Sequence, residues 1–266
     1  MRLLALETST ERLSLAIVNG GEMFAREIDA GQRHSELAIS ELKGLLNDAG
    51  CTLADLDAIA FGRGPGSFVG VRIACGLAMG LALGARKPLL PVCTLTALAE
   101  QAAADRVLVA VDARMGEFYV AAYARSESDA SGWQTVVKPL LARADQLPLL
   151  AGTDWVAVGS AFDSPTLKPI LAARYSGQLS RVQSGCLPSA SQVASVAARR
   201  IARLGIEAAV ASEPATPLYL RNHVADTIEE RRLAKTMKER EQQEQSQPPQ
   251  PQPQDAHQST MPDVAA

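Results

Sequence analysis

The sequence has few aromatic residues and almost no net charge, and each scarcity excludes a class of protein. Aromatic residues make up 4% of its 266 residues, against 47% hydrophobic residues in all, so small aliphatic side chains must build the core. This composition favours an alternating α/β architecture over an aromatic-rich β-sandwich. The net charge of −3 supplies no global positive field, so any contact with RNA has to be local or come through a partner.

Cysteines and histidines are also scarce, and their spacing predicts no metal site. The four cysteines are widely separated and form no CxxC pair, which is typical of reduced, buried thiols in a cytoplasmic protein. The three histidines are His34, His223 and His257. They form no HxxxH, HExxH or HxH pair, so no zinc or iron site follows from spacing.

Long hydrophobic runs are missing as well. No segment reaches the roughly 20 apolar residues of a membrane-spanning helix, because Arg72 and Arg86 bracket the most apolar stretch. Glu7 comes too early for a signal peptide. We therefore expect a soluble cytoplasmic protein without a membrane segment.

What the sequence does contain is a repeated pair of alternating strands. Residues 3–19 and residues 107–123 each read as a strand, a polar turn and a returning strand, and an acidic residue begins each turn. The repetition predicts an α/β fold of two related lobes, as in the actin-like and sugar-kinase class of ATPases. We place the first lobe at residues 1–104 and the second at residues 105–225. The charged and then Pro/Gln-rich residues 226–266 are predicted to be a disordered tail.

Hydrophobic periodicity predicts the other elements. Helices are expected at residues 34–49, 67–84, 94–104 and 189–205, and buried strands at residues 56–64, 88–92 and 155–161. Ser67 is a good N-cap type for the second helix. A proline-punctuated segment, residues 207–225, is expected to return to the body of the protein.

The stretch 62-GRGPGSFVGVRIACGLAMGLALG-84 joins a strand to a helix through a glycine-rich loop. It has no GK[ST], so it is not a Walker A loop, and its GxGxxxG is one residue longer than the dinucleotide fingerprint. Amides at the helix N-terminus could hold an anion. The other interpretation is a tight turn in which only glycine fits. The candidate anion or nucleotide contacts are Thr8, Ser9, Gly64, Gly66, Ser67 and Asp112.

Within the predicted helix, Gly76, Gly80 and Gly84 recur every four residues. Glycine in a helix interior costs about 0.5–1 kcal/mol relative to alanine, so this stripe needs a compensating reason. Close approach of another helix is that reason, either within the lobe or on a second protein. We favour the second protein.

Glu7 and Asp112 begin the two hairpin turns, where actin-like ATPases place carboxylates that orient metal or water. The alternative is that both residues cap their turns. Glu7 is longer than aspartate by about 1.5 Å, and catalysis tolerates such a displacement badly. Turn capping is therefore favoured at Glu7.

Several of these stretches resemble the bacterial TsaB family, also called YeaZ. The resemblance rests on ETST, RHSE, GRGPGSFVGVRI, VDARMGEFYVAAY and EPATPLYLRNHVA, in that order over residues 1–225. It implies an actin-like fold and a role in forming N6-threonylcarbamoyladenosine beside the anticodon of tRNAs that read codons starting with A. Departures from the family pattern are Glu7 in place of Asp, Val69 in place of Thr, and the long tail.

The resemblance also implies partners. The paralogue TsaD carries the transfer chemistry on a metal, the ATPase TsaE assists, and TsaB is the non-catalytic partner. TsaB dimerises with TsaD, or with itself when alone, through helices of its first lobe. No cofactor of its own is expected, although ATP or ADP could lie at the interface with TsaD, and tRNA is expected only within the complex. The implied docking residues are His34, Leu37, Leu42, Arg72, Gly76, Leu77, Gly80 and Gly84.

One comparison with TsaD concerns single residues. TsaD-like proteins carry an HxxxH metal pair just after a strand that corresponds here to residues 88–92. The matching positions are Thr94 and Leu98, of which threonine is a poor metal ligand and leucine is none. This agrees with a non-catalytic subunit. The alternative is an actin-like ATPase or transferase that uses Glu7 and Asp112 with the glycine loop on a nucleotide.

Overall fold

A computed structural model gives the fold and describes residues 1–211 and 214–221. These residues form two five-stranded sheets. The first sheet contains β1 (Arg2–Glu7), β2 (Arg12–Asn19), β3 (Glu22–Asp29), β4 (Ala58–Gly62) and β5 (Leu89–Val92). The second contains β6 (Arg106–Asp112), β7 (Phe118–Arg125), β8 (Trp133–Ala142), β9 (Trp155–Val158) and β10 (Leu179–Gln183). The helices are α1 (His34–Asp48), α2 (Phe68–Ala85), α3 (Thr94–Glu100), α4 (Lys168–Arg174), α5 (Ala190–Leu204) and α6 (Ile206–Ala211).

The two sheets have the same topology. The strand order is β3-β2-β1-β4-β5 in the first and, counted from the opposite edge, β8-β7-β6-β9-β10 in the second. In each sheet the first three strands pair antiparallel and the last two add on in parallel. This duplication confirms the predicted α/β, actin-like fold of two related units, each headed by a hairpin.

Both faces of the first sheet are covered, which explains why β1 is apolar throughout its interior. Leu4 and Leu6 pack in a core with residues of α1 and α2 on one face. Leu3 and Ala5 point the other way and pack against α5. Successive side chains of a strand alternate between faces, so a strand buried on both sides needs an unbroken apolar run.

Helix α5 lies in the second half of the chain but packs against the first sheet. Its apolar stripe, including Val193 and Val196, shares a core with Leu3 and Ala5 of the first sheet. Helix α5 lies within residues 105–225, which the sequence analysis places in the second lobe, yet it packs on the first sheet. Sequence position could not reveal this, because an amphipathic helix has the same pattern whichever sheet it covers.

Residues 214–221 return to the body of the protein, as predicted, and we call them the C-terminal strap. The Arg63 side chain donates from Nε to the carbonyl oxygen of Thr216 at 3.0 Å. The Leu218 amide donates to the carbonyl oxygen of Arg63 at 2.7 Å. These bonds hold the strap against the glycine loop.

Most elements predicted from periodicity are present, with shifted ends. Helix α3 ends at Glu100 rather than at residue 104. Three strands were not predicted, namely β3, β8 and β10. Each lies at the edge of its sheet, where few positions are buried and the apolar signal is weak. The predicted tail, residues 226–266, lies outside the described residues, as do His223 and His257.

Candidate functional site

The glycine loop connects β4 to α2 and is the structural centre of the candidate site. Ser67 is the N-cap of α2, as predicted, and its Oγ accepts from the amide of Gly70 at 3.4 Å. The backbone amide of Ser67 itself donates to the carbonyl oxygen of Ser9 at 2.8 Å. The Thr8 hydroxyl donates to the carbonyl oxygen of Gly70 at 2.8 Å. The turn between β1 and β2 is thus bonded directly to the loop.

Two glycines are required by this close approach. A Cβ at Gly66 would lie 2.5 Å from Cβ of Ser9, and one at Gly70 would lie 2.0 Å from the carbonyl oxygen of Thr8. No side chain fits at either distance. The chain's own turn thus occupies the space beside the loop, which supports the tight-turn interpretation over an anion cradle.

Glu7 lies beneath this turn and points into the protein. It is 1% exposed, and its Oε1 accepts from the amide of Ser9 at 2.6 Å. Its Oε2 accepts from the hydroxyl of Thr94 at 3.1 Å. A Cβ at Gly62 would lie only 1.8 Å from Oε2, so that glycine makes room for the carboxylate. Burial raises the pKa of Glu7, and the hydrogen bonds from Ser9, Thr94 and Thr8 partly oppose the rise.

Thr94 links Glu7 to the glycine loop. Its Oγ1 accepts from the amide of Gly64 at 3.1 Å, and its own amide donates to the carbonyl oxygen of Gly64 at 2.9 Å. Leu98, one turn further along α3, is fully buried in the core. The two positions at which the resemblance places metal-binding histidines in TsaD-like proteins thus carry a structural hydroxyl and a core side chain.

Asp112 caps the second hairpin turn in the way that Glu7 caps the first. Its Oδ1 accepts from the amide of Arg114 at 2.7 Å, again two residues further along the chain. Across residues 1–211 and 214–221, no three His, Cys, Asp or Glu side chains group together as a metal site would require. The turn-capping interpretation accounts for both carboxylates.

We expect Glu7→Gln to remove a pH dependence of stability. Because the pKa of Glu7 is raised above its ordinary value of about 4.3, the folded protein keeps a proton that the unfolded chain has released. The free energy of unfolding therefore falls as the pH rises from the ordinary pKa through the raised one. Urea denaturation between about pH 4 and pH 7 measures this slope.

A neutral glutamine has no such dependence, so the variant's stability should fall less with pH than that of the natural protein. Glu11→Gln is the matched control, since Glu11 lies in the same turn but is exposed. That control should keep the natural slope. Parallel slopes for Glu7→Gln and the natural protein would show that Glu7 does not titrate as described.

The glycine stripe of α2 faces away from the core. Apart from the adjacent residues and the nearby backbone of α2 itself, no atom of the described residues lies within 4 Å of a Cβ placed at Gly76, Gly80 or Gly84. Met79 and Leu83, at neighbouring positions on the helix, are 51% and 82% exposed. We call these five residues the outer α2 face. The sequence analysis missed Met79 and Leu83, although their spacing from the glycines by three or four residues could have identified them.

Some of the other predicted docking residues are not available at the surface. His34 and Leu42 are 4% and 3% exposed, so neither can contribute much contact to a partner. Leu42 packs in the core beneath α1, with Leu37 and Leu77 partly buried beside it. Their burial argues against a docking role for His34 and Leu42, because the apolar stripe of α1 covers the sheet of its own lobe.

Arg72 is exposed but engaged within the chain. Its guanidinium carbon lies 3.2 Å from the ring centroid of Phe68 and 4.9 Å from that of Tyr219, and Nη1 donates to the carbonyl oxygen of Phe68 at 3.2 Å. These contacts hold Arg72 against the N-terminal turn of α2 and the C-terminal strap.

The expectation that no segment is apolar enough for a membrane needs a correction. Helix α2 has 18 residues and a mean hydropathy of 1.8, which meets the length and composition of a membrane-spanning helix. This is weak evidence, because a helix of a water-soluble fold passes the same test. Ala74, Ala78 and Ala82 on one side of α2 are buried in the core of the first sheet.

The four cysteines, all within the described residues, are buried and form no disulfide, as the sequence predicts. They are Cys51, Cys75, Cys93 and Cys186. Burial raises the pKa of Cys51, Cys75 and Cys186, which keeps these thiols protonated and unreactive.

The chain matches known proteins in sequence and in fold. The family model described as TsaD, tRNA N6-adenosine threonylcarbamoyltransferase, matches residues 28–239. The tRNA threonylcarbamoyladenosine biosynthesis protein TsaB of Escherichia coli K12 is 39% identical over 233 residues, which cover 85% of this chain and 96% of that protein. The protein of the same name from Bacillus subtilis 168 is 32% identical over 170 residues, which cover 63% of this chain and 69% of that protein. The solved structure of YeaZ from Pseudomonas aeruginosa has a TM-score of 0.71 at 31% identity and covers 82% of this chain and 99% of that one.

The family model and the relatives carry different names. The model is described by a transferase activity, whereas the E. coli and B. subtilis relatives are named TsaB. The match to E. coli TsaB extends over 96% of that protein's length at 39% identity. The YeaZ structure agrees with the relatives in fold and in extent. The chain therefore belongs to the TsaB (YeaZ) family.

Proposed function

We propose that this protein takes part in forming N6-threonylcarbamoyladenosine in tRNA as a subunit with no chemistry of its own. The names of its relatives support the pathway. The observation that supports a non-catalytic role is the burial of the Glu7 carboxylate. Both of its oxygens bond within the chain, one of them to Thr94 at the position of a TsaD-like metal ligand. A carboxylate held in this way is not directed at a substrate.

The docking surface that we propose for TsaD is the outer α2 face. Its three glycines lack side chains, which lets a partner helix approach the backbone of α2 closely. Met79 and Leu83 stand beside them as exposed apolar side chains that a partner would cover. Apolar area of this kind gains about 25 cal/mol for each Å² removed from water. The same face would pair with a second copy when TsaD is absent.

Docking on this face would stabilise the TsaD state that binds threonylcarbamoyl-adenylate and tRNA. It would also help to form the surface that the ATPase TsaE uses. In this proposal tRNA meets the protein only within the cytoplasmic complex, and ATP or ADP, if bound, lies at the interface with TsaD. The glycine loop itself contributes a rigid start to α2, because the β1–β2 turn fills it.

Reconstitution of tRNA modification tests the proposal. Purified TsaD, TsaE and the enzyme that makes threonylcarbamoyl-adenylate are combined with tRNA, with and without this chain. We expect modified nucleoside only when both TsaD and this chain are present. Equal product without this chain would show that it is dispensable, and product from this chain without TsaD would show that it is catalytic.

A further inference from the structure

Two aromatic rings and an arginine form an exposed cluster where the C-terminal strap crosses the start of α2. The ring centroids of Phe68 and Tyr219 are 6.0 Å apart at an interplanar angle of 39°, and Arg72 contacts both rings. Phe68 is 46% exposed and Tyr219 is 48% exposed. We call Phe68, Arg72 and Tyr219 the aromatic–arginine cluster. In a chain with so few aromatic residues, two half-exposed rings in contact are unusual.

The strap continues from this cluster to a second set of side chains, in which Arg221 is partly buried and two residues of the neighbouring turn are exposed. Arg221 follows Tyr219 by two residues, a distance of at most about 7 Å along the backbone. Its Nη2 donates to the carbonyl oxygen of Ala113 at 2.8 Å, and its Nη1 lies 3.5 Å from Sδ of Met115. Met115 is 81% exposed, and the Arg114 side chain is 86% exposed. The cluster and the turn between β6 and β7 thus form one surface.

The named charged groups of this surface are three arginines and two carboxylates, which leave one net positive charge. The arginines are at positions 72, 114 and 221. The carboxylates beside them already pair with arginine. Asp112 is 3.8 Å from Arg114, and Glu117 is 2.7 Å from Arg221, with side-chain exposures of 25% and 15%. A polyanion would therefore meet guanidinium groups and ring faces rather than free carboxylates.

We propose that unpaired bases of an RNA loop stack on the aromatic–arginine cluster while the exposed Arg114 faces the phosphates. Unstacked bases are recognised by aromatic rings and by guanidinium planes, and both are present. The inference rests on the proposed function, which supplies tRNA as the substrate. It adds that this subunit touches the RNA itself. The net charge of −3 supplies no long-range attraction for RNA. We therefore expect TsaD to contribute more of the affinity for tRNA than this subunit does.

Leucine and phenylalanine substitutions separate base stacking from apolar contact. Leucine at both Phe68 and Tyr219 keeps apolar area but removes the flat rings, whereas Tyr219→Phe keeps the ring and removes only the hydroxyl. The probe is a fluorescent anticodon stem–loop RNA, titrated onto the complex with TsaD and onto this chain alone. We expect the double leucine variant to bind about tenfold more weakly and Tyr219→Phe to bind normally. Binding of a fully paired RNA duplex of equal length should be the same for every variant.

Two results would overturn the inference. The first is equal affinity of the folded double leucine variant and the natural protein for the stem–loop in both titrations. The second is loss of co-purification with TsaD in the same variant, which would make the cluster a protein interface. Leu149→Ala, at a 78% exposed site outside this surface, controls for general effects of substitution. If modification still requires this chain but the rings do not affect RNA binding, the proposed function stands and this inference fails.

Discussion

Gly80→Leu should abolish co-purification with TsaD while the isolated chain stays folded. The added side chain would project from the centre of the outer α2 face, where it would hold a partner helix away from the backbone. Its Cβ would clash with nothing in the chain, because no described atom beyond the adjacent residues and the backbone of α2 lies within 4 Å of that position. Leucine is also a better helix former than glycine by about 0.8 kcal/mol. The variant should therefore be at least as stable as the natural protein and still fail to dock.

Affinity pull-down with tagged TsaD measures docking, and urea denaturation confirms the fold. The matched control is Ala173→Leu, which adds the same side chain at an exposed position of α4 on the second sheet. It should leave docking unchanged. Undiminished pull-down of a well-folded Gly80→Leu protein would place the interface elsewhere. Loss of docking in both variants would mean that added apolar surface, and not the α2 face, is responsible.

Gly70→Ala should destabilise the protein by about 3 kcal/mol, which is near the upper end for a residue that overfills its site. Its Cβ would lie 2.0 Å from the carbonyl oxygen of Thr8, which is a backbone atom. That oxygen cannot move alone, because the Thr8 hydroxyl and the Ser9 carbonyl are bonded to the glycine loop. The whole β1–β2 turn would have to shift.

Gly76→Ala is the opposite change in the same helix and serves as its control. Beyond the adjacent residues and the backbone of α2, no described atom would contact the new methyl group, so the variant should gain about 0.8 kcal/mol from helix propensity. Urea denaturation of the two variants beside the natural protein gives both differences. A Gly70→Ala protein as stable as Gly76→Ala would show that the turn does not pack against α2 as closely as the structure has it.

The candidate site was predictable only in part. The hairpins, the glycine loop and the N-cap at Ser67 were readable because each has a local signal in composition or alternation. The exposures of His34 and Leu42 were not readable. A helix that packs on its own sheet and a helix that docks on a partner show the same apolar stripe, and Leu42 belongs to the first kind.

The direction of the Glu7 side chain was also beyond the sequence. A carboxylate at the start of a hairpin turn can face a ligand or cap the turn, and the residue type is the same in both cases. Its bond to Thr94 joins residues that are 87 positions apart, and no local pattern reports such a contact. The contact between the strap and α2 was equally unreadable from the sequence, because Tyr219 and Phe68 are far apart in the chain and strands of both sheets lie between them in sequence.

The two hairpin-headed units, most of the helices and the family motifs could be read from the sequence. Only the folded structure shows which glycines pack within the chain and which face outward. Gly62, Gly66 and Gly70 recur every four residues, and so do Gly76, Gly80 and Gly84. The first three lie against Glu7, Ser9 and Thr8, whereas the other three face outward. Glycine is chemically the same residue in both sets. Whether its lack of a side chain is required depends on which atoms of other elements lie close to it, and only the folded structure shows those atoms.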